Sequence, residues 1–164
     1  MSVEQFRSFI DHAYWGRGKI LDALDGVDVE QLDAAPLDEL GSPREIIAHM
    51  LEFELLFSSL LIGDQPIFGG PDDELTSVDA IRSAWMPIEQ SWRTYIDTLG
   101  DDDLDRPVHL TWRGPDAVVL LRDVLAQFVQ HQGQHRSELA AIVTALGQSP
   151  GEFDWWDYQA TQER

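Results

Sequence analysis

The chain of 164 residues contains no cysteine. That excludes a disulfide scaffold, a Cys-ligated zinc or iron–sulfur site and a cysteine nucleophile. Any thiol chemistry must therefore use a thiol brought from outside. The absence is also compatible with a reducing cytosol. Lysine is almost as scarce. Lys19 is the single candidate for a Schiff base or a phosphate-gripping amine, and no glycine motif surrounds it. Positive charge is short throughout: 11 Lys plus Arg stand against 30 Asp plus Glu, for a formal net charge of −19. Such a chain repels phosphates and anionic headgroups, which argues against nucleic acid and membrane partners. It favours solubility and attracts cations. Long apolar runs are missing as well; those at residues 55–57 and 60–62 are far too short to span a bilayer. The opening MSVEQFRSFIDHAYWGRGK carries Asp11 where a signal peptide would be apolar, so a cytoplasmic location is expected. No phosphate loop, nucleophile elbow or HExxH is found.

What is present points to one helical domain over residues 1–164. Apolar residues make up 43%, enough for a core. Phe6, Phe9, Ile10, Ala13, Tyr14, Ile20, Leu21 and Leu24 recur at helical spacing, which predicts a helix over residues 3–24. A second helix is announced by Ser42-Pro43-Arg44-Glu45, a capping serine, an N1 proline and a reciprocal glutamate, and runs to Gly63. A third starts near Thr76 or Ser77 and ends at Leu99, with a kink or break expected near Met86 because of Pro87. The fourth spans residues 118–146 and stops at Gly147. Between the last two, Val108, Leu110 and Trp112 alternate, but a loop packed on the helices is the preferred reading. The aromatic tail at 153–158 is expected to pack on the bundle. The connectors are long enough for crossovers and parallel neighbours.

The chemistry rests on histidine. His131 and His135 stand four residues apart, so they project from one helix face. At that spacing two imidazoles reach one metal at about 2.1 Å each. They interrupt the apolar stripe Leu121, Val124, Leu125, Phe128, Leu139, Ile142 rather than opposing it. The competing reading is a pair of core histidines satisfied by neighbours or water. His49, on the apolar side of the second helix, would complete a set of three from two helices, an arrangement used by metal sites in bundle cores. Three imidazoles suit Zn²⁺, Ni²⁺ or Fe²⁺ and leave coordination positions open, as reactive centres do. Glu138 and Glu52 each lie three residues after a histidine and are candidates to orient an imidazole or move a proton; Glu45 fits the helix cap instead. His12 and His109 have no partner at metal spacing and are expected at the surface or its boundary.

With these residues in hand, the chain resembles the DinB-like superfamily, which includes bacillithiol transferase-like and mycothiol-dependent maleylpyruvate isomerase relatives. The resemblance runs from DHAYWGRGKILDAL through SPREIIAHMLEFE to HQGQHRSELAAIVTALGQSP. His131, His135, Arg136, Leu146, Gly147 and Asp154 match the family's H-x-x-x-H-R-G-Q segment and its continuation, while Ser137 and Glu138 replace the usual Gly-Gln. The resemblance implies an all-α, four-helix bundle of up-down-down-up topology, often a homodimer. It implies a divalent metal, zinc or nickel with iron or manganese as alternatives, held by His49, His131 and His135. It also implies a small-molecule substrate and a low-molecular-weight thiol, in an S-transferase or isomerase reaction. A metal-dependent hydrolase and a non-catalytic, metal-binding dimer are the rival readings. A carboxylate-bearing ligand would depend on Arg17, Arg113 or Arg136, since the net charge opposes it.

Overall fold

Apolar residues at three- and four-residue spacing build four long helices, and their caps fix where each begins. In the computed structural model, residues 1–37, 39–62, 66–70 and 74–162 are described. Helix α1 spans Val3–Leu24, with a reciprocal Ser2–Gln5 capping box. A single turn, α2 (Val29–Leu32), lies in the acidic connector. Helix α3 is Pro43–Ile62. Its start is held as the sequence predicts: the Ser42 hydroxyl accepts from the Glu45 N–H at 3.2 Å, and Glu45 Oε2 accepts from the Ser42 N–H at 2.8 Å. Helix α4, Val78–Asp97, is capped by Ser77.

Helix α4 passes through Pro87 without the expected break. Pro87 faces solvent, where water can satisfy the carbonyl left without a donor, while Ile81, Trp85, Ile88, Trp92 and Ile96 stay buried on either side.

The connector between α4 and the last long helix departs from the expected plain loop. Strands β1 (Pro107–His109) and β2 (Val118–Leu120) form a short antiparallel pair there, with Val108 opposite Val119. The alternation of Val108 and Leu110 is the true signal: both are buried. Helix α5 therefore begins at Leu121 rather than at residue 118, and ends at Ala145. Gly147 adopts φ 84°. Its N–H donates to Thr144 O at 3.0 Å, and the Gln148 N–H donates to Val143 O at 3.0 Å, the paired closure that a C′ glycine permits. The tail forms α6 (Trp155–Gln162) and packs on α1 through Phe9, His12 and Trp15.

Side-chain contacts give the helix directions. The Val3 N–H donates to Asp101 just beyond α4, and Arg82 near the start of α4 pairs with Asp22 near the end of α1, so these two are antiparallel. Arg136 lies against Gly16, and Gln148 against Gly26, so α1 and α5 run together. His49 meets His135, whereas Phe57 shares a cleft with Val124, so α3 opposes α5. The result is an up-down-down-up four-helix bundle. Trp85, Trp92, Phe128, Ile47 and Met50 are essentially fully buried at its centre. No helix among the described residues is long and apolar enough to cross a membrane.

Candidate metal centre

The antiparallel approach of α3 and α5 brings His49, His131 and His135 together, with one nitrogen from each lying within 4.8 Å of the others. Their ring centroids are 4.4–4.9 Å apart. His131 is buried and stacks on Phe53, one turn beyond His49, with centroids 3.7 Å apart and planes 11° from parallel. His135 is half-buried, and His49 closes the cluster at the exposed side.

Hydrogen bonding limits how the rings can be protonated. His135 Nδ1 lies 2.5 Å from Glu138 Oε2. An ionised carboxylate only accepts, so Nδ1 carries the hydrogen and, in the neutral ring, Nε2 offers its lone pair to the cluster. Burial raises the Glu138 carboxyl, but the hydrogen bonds from Gln134 and His135 outweigh it and hold the group below its ordinary value. Glu138 is thus positioned to orient His135.

His131 Nε2 and His49 Nε2 face each other at 3.0 Å. Two lone pairs repel at that distance, so either one nitrogen bears a hydrogen or a cation lies among the rings. His131 Nδ1, meanwhile, is buried with no partner among the described residues. An ion held at Nε2 cannot reach Nδ1 of the same ring, so Nδ1 goes unsatisfied in either tautomer, at a cost of about 1–3 kcal/mol. Burial, helped by the nearby His135 and His49, pushes the His131 pKa down to about 3. Burial likewise lowers His49, with His135 adding to it.

This depression has a measurable consequence. A folded pKa of about 3 against an ordinary 6.5 means that the unfolded chain binds a proton the folded chain refuses. The stability contributed is present above pH 6.5 and is lost as pH falls toward 3. Chelator-treated wild type should lose urea resistance across that window more steeply than His131→Leu. Parallel curves for the two proteins would contradict the assignment.

Of the remaining residues singled out in the sequence, Glu52 lies beside His49, but its Oε1 accepts the Gly69 N–H at 3.0 Å and so helps lay residues 66–70 along α3. Glu45 serves the cap. His12 is half-buried under Trp15, Trp155 and Tyr158, with Nε2 3.1 Å from Phe153 O, and His109 is exposed on β1. Neither approaches the cluster.

One polar group escapes a reading of the sequence. Glu54 is fully buried behind the cluster. It accepts from Arg17 at 3.2 Å, Tyr14 at 3.3 Å and Gln132 at 2.7 Å, and Gln132 adjoins His131. Arg17 also pairs with Glu89 and lies over the rings of Tyr14 and Trp85. A signal exists: Glu54 and Arg17 occupy apolar-periodic positions of α3 and α1, just as His131 does in α5.

These features define a helical bundle whose inward face carries a histidine cluster drawn from two helices. The chain belongs to the DinB superfamily, which it matches over residues 12–139, a stretch holding all three histidines and Glu138. Among solved structures it is similar to YfiT from Bacillus subtilis, described as a probable metal-dependent hydrolase with an unusual four-helix bundle topology. The two share 18% identity over 91% of each chain, with a TM-score of 0.69, which is likeness of fold. No curated protein matches the chain.

Proposed function

We propose that this protein is an enzyme that uses a divalent metal held by His49, His131 and His135, and that it acts with an external low-molecular-weight thiol on an electrophilic small molecule. The observation that carries the reading is the convergence of three imidazoles from two helices, one of them oriented by Glu138. The donor set suits zinc or nickel, with iron or manganese as alternatives. Nitrogens bound at about 2.1 Å to one ion lie roughly 3.0–3.4 Å apart. The His131–His49 pair, at 3.0 Å, meets this, and all three ligand nitrogens lie within 4.8 Å of one another. A bound divalent ion would supply Lewis acidity, lowering the pKa of a coordinated thiol or water.

The chain's own part is preorganisation. His131 stays neutral at working pH, so it presents a lone pair without first releasing a proton. Glu138 fixes the tautomer of His135. Phe53 shields the inner side of the cluster from water. The absence of cysteine keeps the protein from competing for the metal with an entering thiol.

Hydrolysis is the second reading, favoured by the description of YfiT. The deciding experiment begins with elemental analysis of untagged protein, expected to show about one divalent ion per chain. Chlorodinitrobenzene with added glutathione or N-acetylcysteine is then set against a nitrophenyl ester. Metal-dependent turnover of the first supports thiol transfer; turnover of the second alone supports hydrolysis. Glu138→Ala is expected to weaken metal binding about 10–100-fold. Protein without stoichiometric metal, and indifferent to added metal, would defeat both readings. A cytoplasmic, dimeric enzyme fits this proposal, and gel filtration with light scattering tests the dimer.

A further inference from the structure

A cleft of about 390 Å³ opens beside the histidine cluster, between α3, α5 and the β1–β2 hairpin. That volume lies within the range of small-molecule sites. One wall is aromatic and continuous with the cluster. His131 stacks on Phe53, Phe53 meets Phe57 at 4.5 Å, and Phe57 meets the edge of Trp112 at 5.9 Å. Gln127, one turn before His131 on α5, also lines the cleft.

The rim carries Arg113. Among the described residues it is the one arginine whose side chain makes neither an ion pair nor a hydrogen bond. Arg7, Arg17, Arg44, Arg82, Arg93 and Arg122 are paired with carboxylates. Arg106 donates to Tyr95, and Arg136 to the carbonyls of His12 and Ala13. In a chain of net charge −19, an arginine with no carboxylate partner among the described residues is conspicuous, and this one stands at the edge of an aromatic slot. The structure also removes its rivals: Arg17 is buried in the Glu54 network, and Arg136 lies against α1. The one carboxylate lining the cleft, Asp123, accepts the Leu120 N–H at the start of α5.

We infer that this cleft binds a planar, apolar ligand bearing a single carboxylate-like anion, its ring system against Phe53, Phe57 and Trp112 and its charge on Arg113. As the substrate pocket of the metal centre it rests on the function proposed above; as a binding cleft it stands on its own residues. Phe53, stacked on His131, is the partition between this cleft and the cluster, so the ligand lies next to the metal centre across that ring, while Arg113 offsets the repulsion an anion meets from the rest of the protein.

The test uses chelator-treated protein and two probes with the same ring system, 2-naphthoate and neutral 2-naphthylmethanol, titrated by calorimetry. Wild type is expected to bind the carboxylate about five- to tenfold more tightly than the alcohol. Arg113→Gln should abolish that preference and leave the alcohol unchanged. Trp112→Ala should weaken both probes about fivefold or more. Arg113 is exposed and Trp112 only half-buried, so both variants should fold, which circular dichroism melts will confirm. Equal binding of the probes to wild type, no binding at millimolar concentration, or indifference to either substitution overturns the inference. A parallel zinc titration separates the two claims. Probe binding without zinc binding leaves the cleft standing and removes the metal; zinc binding without probe binding does the reverse.

Discussion

Replacing Glu54 with alanine is expected to destabilise the protein by about 3–5 kcal/mol. Stability of a domain this size is typically only about 5–15 kcal/mol in total, so this is a large fraction. Glu54 is fully buried, and three donors from two other helices converge on it. Burial raises its pKa, and the charge of Arg17 works against that rise. Truncation therefore does more than open a cavity. It leaves the buried Arg17 with Glu89 as its one carboxylate partner and strands the Gln132 amide, whose Oε1 already lacks a partner. Glu54→Gln preserves the shape and part of the hydrogen bonding and should cost less. Pairing Glu54→Leu with Arg17→Met should recover much of the loss, because no charge then remains unpaired inside. Urea unfolding of the four proteins checks the order. If the alanine variant unfolds within about 1 kcal/mol of wild type, the network does not tie the helices together internally.

The sequence made most of this fold legible because its helix signals are local. Ser42 with Glu45, Ser77, and Gly147 each act within a few residues, and each stands where its chemistry placed it. The hairpin was less legible. Strands of three residues offer too little alternation to outweigh a loop, and the connection between them, residues 110–117, carries no two-residue hairpin turn to announce their pairing. Of the kink or break that Pro87 announced, the break is absent for a related reason: whether proline ends a helix depends on which side it faces, and that is decided by tertiary packing.

The candidate site divides the same way. Histidines placed on apolar stripes were visible one helix at a time, and the bundle then set them face to face. The local three-residue step from His135 to Glu138 became a hydrogen bond. The same step from His49 to Glu52 did not, since Glu52 turned to the backbone of Gly69 instead. The Glu54 network needed residues from three helices at once, and no spacing within one segment reveals that. The choice of Arg113 over Arg17 and Arg136 likewise depends on knowing which guanidinium groups are already committed.

The second large effect concerns His131→Leu, which should reverse the stability order of two proteins when zinc is added. With or without metal at Nε2, His131 leaves Nδ1 unpartnered in the interior, a penalty of about 1–3 kcal/mol. Leucine removes that penalty and forfeits the stack on Phe53, a contact of the kind worth about 0.5–1.5 kcal/mol. Chelated at neutral pH, the variant should therefore equal or exceed wild type by about 1 kcal/mol. With zinc at about 100 times its dissociation constant, wild type gains about 2.7 kcal/mol and the variant gains almost nothing. The two denaturation midpoints must then cross. A residue that lowers the stability of the empty protein and is required for the response to metal is retained for binding, not for folding. If zinc leaves the wild-type midpoint unmoved, the cluster does not hold a metal. If the variant responds as wild type does, the ligand set excludes His131, and the buried ring must be explained as a core residue with an unsatisfied nitrogen.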